Sequence, residues 1–355
     1  MPATIRDVAR EAGVSVATVS RALNGADNVL PATRQRIEAA AQALRFTPSG
    51  AARSLITRRT NTVGALLPDL YGEYFSELIR GIDQAARARG LHLMVSSSHG
   101  DADEAAKAMR AMNGRVDGLI VMSPHADAAF LQHNLPGRLP AVLLNTAAAL
   151  PGHARFVIDN FGGARTMTRH LVASGAKRIA FIGGPEGNHE AQERLRGYRS
   201  GLKAGMKALV FEGDFSEESG CIAGRRIAQS KPRPDAVFAA NDMLAVGCLA
   251  ALREAGLRVP EDVALAGFDD IPIAHYITPA LTTIRVPIAA MGSAALDALA
   301  QAVAAPESQA TDTVVMPVEL VVRRSCGGAS PASKSARPRP TPPTPKTRPT
   351  PRRPT

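Results

Sequence analysis

The chain has 355 residues, of which 45% are hydrophobic, and a formal net charge of +10 at pH 7. It lacks an apolar run of about 18 residues and an apolar stretch at its N-terminus, which argues against a membrane span and a signal peptide, so we expect a cytoplasmic protein. The excess charge lies at the two ends: residues 1–60 carry nine Arg against four acidic residues, and residues 327–355 carry seven Lys or Arg and no acidic residue. The basic N-terminal segment predicts salt-sensitive binding to nucleic acid.

Two short helices joined by a Gly-Val-Ser turn are the first predicted elements. Thr4 and Asp7 form a variant of the capping box that begins the first helix, and Gly13 suits the left-handed conformation that ends it. Ser15 can cap the second helix, which is short and polar on one side. This pattern favours a helix-turn-helix that places its second helix in the major groove of DNA over an ordinary helical hairpin buried in a core.

The helix pair resembles that of the lac repressor/galactose repressor (LacI/GalR) family of bacterial transcription regulators. The resemblance rests on Ile5-x-Asp7-Val8-Ala9-x-x-Ala12-Gly13-Val14-Ser15-x-x-Thr18-Val19-Ser20-Arg21-x-Leu23-Asn24, then on Thr33-Arg34 and Phe46-x-Pro48-x-x-Ala51-Ala52-x-Ser54-Leu55. It continues to about Arg324. It implies a homodimeric repressor that binds a palindromic, double-stranded operator and a small-molecule effector.

By this resemblance, Val16, Ala17 and Arg21 align with the positions that choose the operator sequence. Arg21 can donate two hydrogen bonds to a guanine, whereas Val16 and Ala17 offer only apolar contact, for example to a thymine methyl group. The other candidate contacts to phosphates or base edges in this segment are Thr4, Ser15, Thr18, Asn24, Asn28 and Thr33. Each of these could instead be a helix cap or a solvated side chain, and for Ser15 we expect capping in any case.

A third helix and a hinge follow. Residues 32–45 place apolar side chains on one helical face, with Leu30 where the family usually has a capping Ser or Thr and Pro31 at the first helical position. Residues 49–56 form a short candidate helix. By resemblance, this hinge is disordered in the free protein and folds on the operator, where two copies meet in the minor groove and Leu55 wedges a base step apart. Ala52 is a further candidate DNA contact. The alternative is that Leu55 packs on the third helix.

From Thr62 onward, apolar runs alternate with amphipathic segments, which predicts an α/β core of doubly wound parallel sheets. The first set of predicted strands comprises Val63–Leu67, Leu91–Ser96, Gly118–Met122 and Ala141–Leu144. The second set comprises Phe156–Ile158, Ile179–Ile182, Leu209–Glu212, Ala236–Ala239 and Ala264–Phe268, and its last helix lies at about 287–303. A crevice between two such sheets suits a small ligand at the strand C-termini. The resemblance likewise implies a two-lobed, periplasmic-binding-protein-like core.

Candidate effector-binding residues lie at or just after the predicted strand ends. In the family, residues matching Arg194, Asn241 and Asp269 bind the effector. A guanidinium and a carboxylate that face each other suit vicinal hydroxyls, because each can make paired charge-assisted hydrogen bonds. The aromatic ring of Tyr74 or Phe75 could stack on a sugar, and the weaker candidates are Asn145, Asp159 and Phe215. Alternatively, Asp269 is a turn residue and Arg194 forms a surface ion pair.

Purine-responsive relatives use a similar cleft, and the residues that read the base there align with Asn188 and Glu190. A Glu fits an anionic base poorly, so we expect a sugar, a sugar acid or a polyol. The alternatives are a purine- or nucleoside-responsive repressor, a sugar-binding module without operator specificity, and an architectural DNA binder. Catalytic motifs are absent, and His189–Glu193 lacks the second His of a zinc helix. We therefore expect no enzyme activity, no metal and no cofactor.

The sequence thus predicts a homodimeric repressor of a carbohydrate-utilisation operon with four parts. Residues 1–48 form the helix-turn-helix domain, and residues 49–61 form the hinge helix and linker. Residues 62–326 form the core that binds the effector and dimerises. Residues 327–355, nine of them Pro, form a disordered tail. The tail is either solvated without a partner or a non-specific nucleic-acid binder.

Overall fold

A computed structural model describes residues 3–23, 28–47, 59–124, 126–137, 139–147, 149–305 and 312–327. Three helices form the N-terminal head, and an α/β core follows from residue 62. Several sequence predictions lie outside the described residues: the DNA contacts Asn24, Ala52 and Leu55, the hinge helix at 49–56, and all but the first residue of the tail. In the part of the chain that is described, no helix is both long and apolar enough to cross a membrane.

The head consists of α1 (Ile5–Glu11), α2 (Val16–Leu23) and α3 (Pro31–Ala43). Val8, Val19 and Ile37, one from each helix, are fully buried against one another and form its small core. Gly13 has a φ of +61°, the left-handed conformation that the short turn between α1 and α2 requires. The predicted helix-turn-helix is therefore present.

The start of α3 lacks a side-chain cap, as expected from Leu30, and Pro31 occupies its first turn. Leu30 is 75% exposed. Arg34, one turn into α3, donates from Nη1 to the carbonyl oxygen of Ala22 at 2.7 Å. This contact gives the C-terminal end of α2 a cationic partner and ties the two helices together.

The first lobe is built on a six-stranded parallel sheet. The strands are β1 (Thr62–Leu67), β2 (His92–Ser97), β3 (Gly118–Met122), β4 (Ala141–Leu144), β5 (Arg155–Ile158) and β11 (Thr313–Met316). Their order across the sheet is β11-β5-β4-β3-β1-β2. The helices that cover the sheet are α4 (Glu73–Ala88), α5 (Ala102–Met112), α6 (Ala128–Asn134) and α12 (Ile288–Ala304).

The second lobe is built on a four-stranded parallel sheet. Its strands are β6 (Ile179–Ile182), β7 (Leu209–Phe211), β8 (Ala236–Ala239) and β9 (Ala264–Ala266). Their order across the sheet is β7-β6-β8-β9. Its helices are α7 (Asn160–Ala173), α8 (His189–Gly201), α9 (Glu217–Gln229) and α10 (Asp242–Glu254). A short helix, α11 (Ile273–Tyr276), and the antiparallel pair β10 (Thr283–Arg285) and β12 (Glu319–Val321) complete it.

Two assignments made from the sequence were wrong. The strand predicted at Phe156–Ile158 pairs with β4 and β11 in the first sheet, although we expected it to open the second. The helix predicted at about 287–303 packs on α4, β3 and β4, again in the first lobe. Both errors have one cause, because the described elements pass between the lobes three times. The passages lie between β5 and α7, between β10 and α12, and between β11 and β12.

Candidate functional site

The exposed face of α2 carries the residues predicted to read bases. Val19 and Ala22 point into the head, whereas Val16, Ala17 and Arg21 are exposed. This leaves an outward surface of small side chains with one guanidinium at its end. An exposed helix face of this composition can lie against base edges in the major groove, where Arg is the commonest partner of guanine.

Ser15 begins α2 as a cap. Its Oγ accepts a hydrogen bond from the Thr18 N–H at 3.2 Å and lies 2.8 Å from Thr18 Oγ1, so both hydroxyls already have a local partner. Thr4 donates from its N–H and its hydroxyl to Asp7 Oδ2, at 2.9 and 2.7 Å. Thr4 and Asn28 are exposed, and Thr33 is half-buried at the start of α3.

A cavity of about 310 Å³ lies between the two lobes, at the carboxyl ends of the parallel strands. Six of the eight predicted effector residues line it: Tyr74, Phe75, Arg194, Phe215, Asn241 and Asp269. The other two, Asn145 and Asp159, line a smaller adjoining cavity of about 120 Å³. Glu190 lines both cavities and therefore stands between them.

Arg194 is held rigidly at the second-lobe wall of the cleft. It lies on α8 and is 3% exposed. Its Nε donates to Asn160 Oδ1 at 2.8 Å, and its Nη1 donates to the carbonyl oxygen of Ala240 at 2.6 Å. Its guanidinium carbon sits 3.9 Å from the centre of the Phe268 ring. Neutral hydrogen-bond partners and an aromatic face thus fix the orientation of the guanidinium.

Asp269 faces Arg194 across the cleft floor. Its Oδ1 lies 3.3 Å from Arg194 Nη1, but in a geometry that makes no hydrogen bond. Burial raises the pKa of Asp269 to about 7, against the opposing effect of Arg194. A ligand that donates hydrogen bonds to this carboxyl group would supply what the protein does not.

Glu190 also lines the cleft, although from the sequence alone it counted only as evidence against a purine. Its side chain is 9% exposed, and its Oε1 lies 4.0 Å from Arg194 Nη2 without a hydrogen bond. Burial raises its pKa, while Arg194 and a hydrogen bond from Asn160 oppose that shift. The signal in the sequence was spacing, since Glu190 and Arg194 are four residues apart and so lie on one helical face.

Two of the predicted effector residues have structural partners. Asn241 caps α10 with its Oδ1, which accepts from the Leu244 N–H at 2.9 Å, and its Nδ2 donates to the Phe215 carbonyl at 3.1 Å. Asp159 caps α7, accepting from the Gly162 N–H at 2.7 Å.

Asn145 and Tyr74 form a polar pair beside Glu190. Asn145 Nδ2 donates to the Tyr74 hydroxyl at 3.1 Å, while the buried Asn145 Oδ1 has no partner. Burial, with the charges of Glu190 and Asp269, raises the pKa of Tyr74 well above its ordinary value, so its hydroxyl keeps its proton.

Backbone strain is concentrated around the two cavities. Four non-glycine residues that line them have positive φ: His99 at +51°, Asn145 at +47°, Phe215 at +74° and Asp269 at +114°. Such conformations cost about 1–3 kcal/mol each and persist where the surrounding structure fixes them, commonly at ligand sites.

Comparison with known proteins places both parts of the chain. The family model of bacterial regulatory proteins of the lacI family matches residues 4–49, and that of a periplasmic binding protein-like domain matches residues 168–326. The ribose operon repressor of Escherichia coli (strain K12) is 36% identical over 324 residues, which cover 89% of this chain and 98% of the relative. The chain belongs to the LacI family.

Further similarities cover nearly the same length. The transcriptional repressor PurR of Edwardsiella ictaluri (strain 93-146) is 35% identical over 331 residues, which cover 91% of this chain and 96% of the relative. The structure of the lac repressor dimer bound to operator and the anti-inducer ONPF superposes with a TM-score of 0.80 and 28% identity, covering 92% of this chain and 99% of that chain. LacI-family membership confirms the resemblance and the two-lobed fold predicted from the sequence.

Proposed function

We propose that this LacI-family protein is a transcriptional repressor whose operator affinity is controlled by a small sugar-like effector. In this proposal residues 1–48 bind a palindromic operator, residues 49–61 connect the head to the core, and residues 62–326 bind the effector and pair two subunits. One observation carries it: a single chain joins an exposed, Arg21-bearing helix face to a cleft with buried, unpartnered polar atoms. The protein acts on DNA in the cytoplasm as a regulator and not as an enzyme.

The cleft favours a sugar, a sugar acid or a polyol over a purine. Relatives of both kinds of regulator match the chain similarly well, so the choice rests on the site. Arg194 and Asp269 offer a guanidinium and a carboxyl group to vicinal hydroxyls, and Tyr74 and Phe75 offer aromatic surface to a sugar ring. Glu190 aligns with a residue that reads the base in purine-responsive relatives, and its carboxyl group in the cleft fits an anionic base poorly.

The effector changes operator affinity by linkage. Two hydrogen bonds already join the lobes beside the cleft: Tyr71 Oη donates to Glu217 Oε1 at 3.1 Å, and the Ile273 N–H donates to Glu73 Oε2 at 2.7 Å. A ligand that contacts both lobes stabilises one relative orientation of them. It shifts operator affinity by the difference between its affinities for the two orientations.

The test is a footprint of the full-length protein on palindromic sites upstream of the genes next to its own, with and without a panel of sugars. We expect protection of one palindrome at moderate salt and a change in its midpoint with at least one sugar. Protection of no site, or equal binding to every duplex, would contradict operator recognition. Protection that no sugar alters but a purine does would favour the purine-responsive alternative.

A further inference from the structure

We propose that Glu190 is an effector-binding residue and that, together with Asp269, it restricts the cleft to uncharged ligands rich in hydroxyl groups. The inference rests on the proposed function, since it concerns the same cleft. It narrows the ligand from sugars, sugar acids and polyols to the uncharged members of that class.

The position of Glu190 is fixed by the first turn of α8. The Asn188 side chain caps this helix, accepting from the Ala191 N–H at 3.0 Å. Glu190 follows two residues later and turns its side chain inward, where it is nine-tenths buried and lines both cavities. Arg194 lies one turn further on the same face. A helix, and not a mobile loop, therefore holds the carboxyl group in place.

Among the described residues that line the main cavity, the buried side-chain atoms without a hydrogen-bond partner are two carboxyl oxygens, Glu190 Oε1 and Asp269 Oδ1. Asn145 Oδ1 and the donor Arg155 Nε, which also lack hydrogen-bond partners, belong to residues of the smaller adjoining cavity. The unmet capacity of the main cavity is therefore that of carboxyl oxygens. A buried polar atom without a partner is costly, so the ligand that fits must bring donors. Hydroxyl groups bring donors without bringing charge.

The nearest donor of the protein is partly committed. Arg194 already gives Nε to Asn160 and one N–H of Nη1 to the Ala240 carbonyl. The edge formed by Nε and Nη2, one of the two edges with which a guanidinium binds a carboxylate or phosphate in a paired geometry, is therefore not free. The remaining N–H groups of Nη1 and Nη2 can still donate to hydroxyl groups.

The charge balance acts in the same direction. Two carboxyl groups, of Glu190 and Asp269, share one guanidinium in a buried site. An anionic ligand would bring a further negative charge next to them, and like charges repel most strongly where water is excluded. The site thus selects against sugar acids and sugar phosphates as well as for hydroxyl donors.

The experiment is isothermal titration calorimetry of the full-length protein with matched ligand sets. Each set holds a neutral sugar, its carboxylic acid, its phosphate and its amino derivative, for ribose, glucose, galactose and cellobiose, with ribitol and glucitol as polyols. We expect binding only among the neutral compounds. Tightest binding of an acid, a phosphate or an amino sugar would overturn the proposal, and so would the absence of binding by every neutral compound.

The variant Glu190→Gln tests the residue itself. We expect it to weaken binding of the neutral ligand roughly 10- to 100-fold, the effect of losing a charged hydrogen-bond acceptor. Glu186→Gln is the matched control, because Glu186 is exposed on the loop before α8 and does not line the cleft. Equal affinity of Glu190→Gln and wild type overturns the assignment. Should the variant fail to fold, the wild-type selectivity still decides.

Operator binding by wild type, measured separately by gel shift, distinguishes the two proposals. If no operator is bound, the proposed repressor function fails, while the ligand panel still tests whether the cleft selects uncharged ligands. If an operator is bound and released by a sugar acid, the repressor function stands and the inference about Glu190 fails.

Discussion

The carboxyl group of Asp269 lies beside Arg194 with a backbone φ of +114° and a pKa raised to about 7. Burial is the main cause, so the folded protein holds this proton more tightly than the unfolded chain, in which the pKa is near 3.8. Stability is therefore highest below the unfolded value and falls as the pH rises towards 7. The Asp269 carboxyl group therefore costs the ligand-free protein stability at neutral pH.

Asp269→Asn removes the titrating proton while keeping the shape and a residue that tolerates positive φ. We expect the stability of the variant relative to wild type to improve by about 2 kcal/mol between pH 5 and pH 7, because only wild type must ionise a buried group. Urea denaturation of the ligand-free proteins at both pH values measures this difference. An unchanged difference, or one that moves the other way, contradicts the burial argument.

Arg21 gives the exposed face of α2 a guanidinium, which we propose for base recognition. We expect Arg21→Ala to weaken operator binding about 10- to 100-fold, the value of one good contact to a base pair, and to weaken binding to unrelated DNA much less. The control is Arg253→Ala, which removes an exposed Arg from the last turn of α10. An equal loss on operator and unrelated DNA would identify Arg21 as a phosphate contact.

At the scale of elements, α2 depends on its cap because it is only 8 residues long. Ser15→Ala removes the acceptor for the Thr18 N–H and should destabilise the helix by about 1 kcal/mol. Hydrogen exchange of the peptide that covers residues 15–23, in the full-length protein, measures the effect. Ser15→Thr keeps a capping hydroxyl and should exchange at nearly the wild-type rate. Equal exchange in Ser15→Ala and wild type would argue against the cap.

The contact between α4 and α12 requires glycine. A Cβ on Gly81 would overlap the backbone carbonyl of Ala289, which cannot move without shifting α12. We expect Gly81→Ala to destabilise the core by about 1–3 kcal/mol, seen as a lower unfolding temperature. Gly137→Ala is the control, because a Cβ there meets no atom within 4 Å. Equal unfolding temperatures for both variants would mean that α12 is not anchored as described.

Most elements could be predicted from the sequence because periodicity and strand length are local properties. The strands at Gly118–Met122, Ala141–Leu144, Ile179–Ile182 and Ala236–Ala239 have the predicted bounds. The sheet to which a strand belongs is not a local property, since a short strand with three apolar residues, such as β5, fits either lobe. The three-residue strands β10 and β12 are too short for periodicity to detect.

The candidate site was predictable where polar residues follow strands, as Asn241 and Asp269 do. Glu190 does not follow a strand. Its side chain reaches the cleft because it lies four residues before Arg194 on the same face of α8. Asp159 also follows a strand, but the structure uses its carboxylate to cap α7. A polar residue that follows a strand is therefore predicted to lie near the cleft. Whether its side chain caps a helix or faces a ligand depends on its local hydrogen bonds.

At the scale of the whole molecule, Tyr71 joins the lobes through its hydrogen bond to Glu217. We expect Tyr71→Phe to weaken effector binding about 2- to 10-fold, since a net hydrogen bond contributes about 1 kcal/mol to the ligand-binding orientation. Tyr276→Phe, on a ring that is 81% exposed outside the cleft, is the control. Titration calorimetry with the neutral ligand that the calorimetric panel identifies measures the affinity of both variants. Unchanged affinity in Tyr71→Phe would mean that this bond does not favour the bound orientation.

The three passages of chain between the lobes have a practical consequence for engineering. A chimera with a single junction would exchange pieces of both sheets at once, since α12 and β11 return to the first lobe between segments of the second. Grafting the second lobe of a relative onto this head and first lobe needs matched junctions at all three passages, near residues 159, 287 and 317. New ligand responses are then more easily obtained by point substitution within the cleft than by recombination of segments.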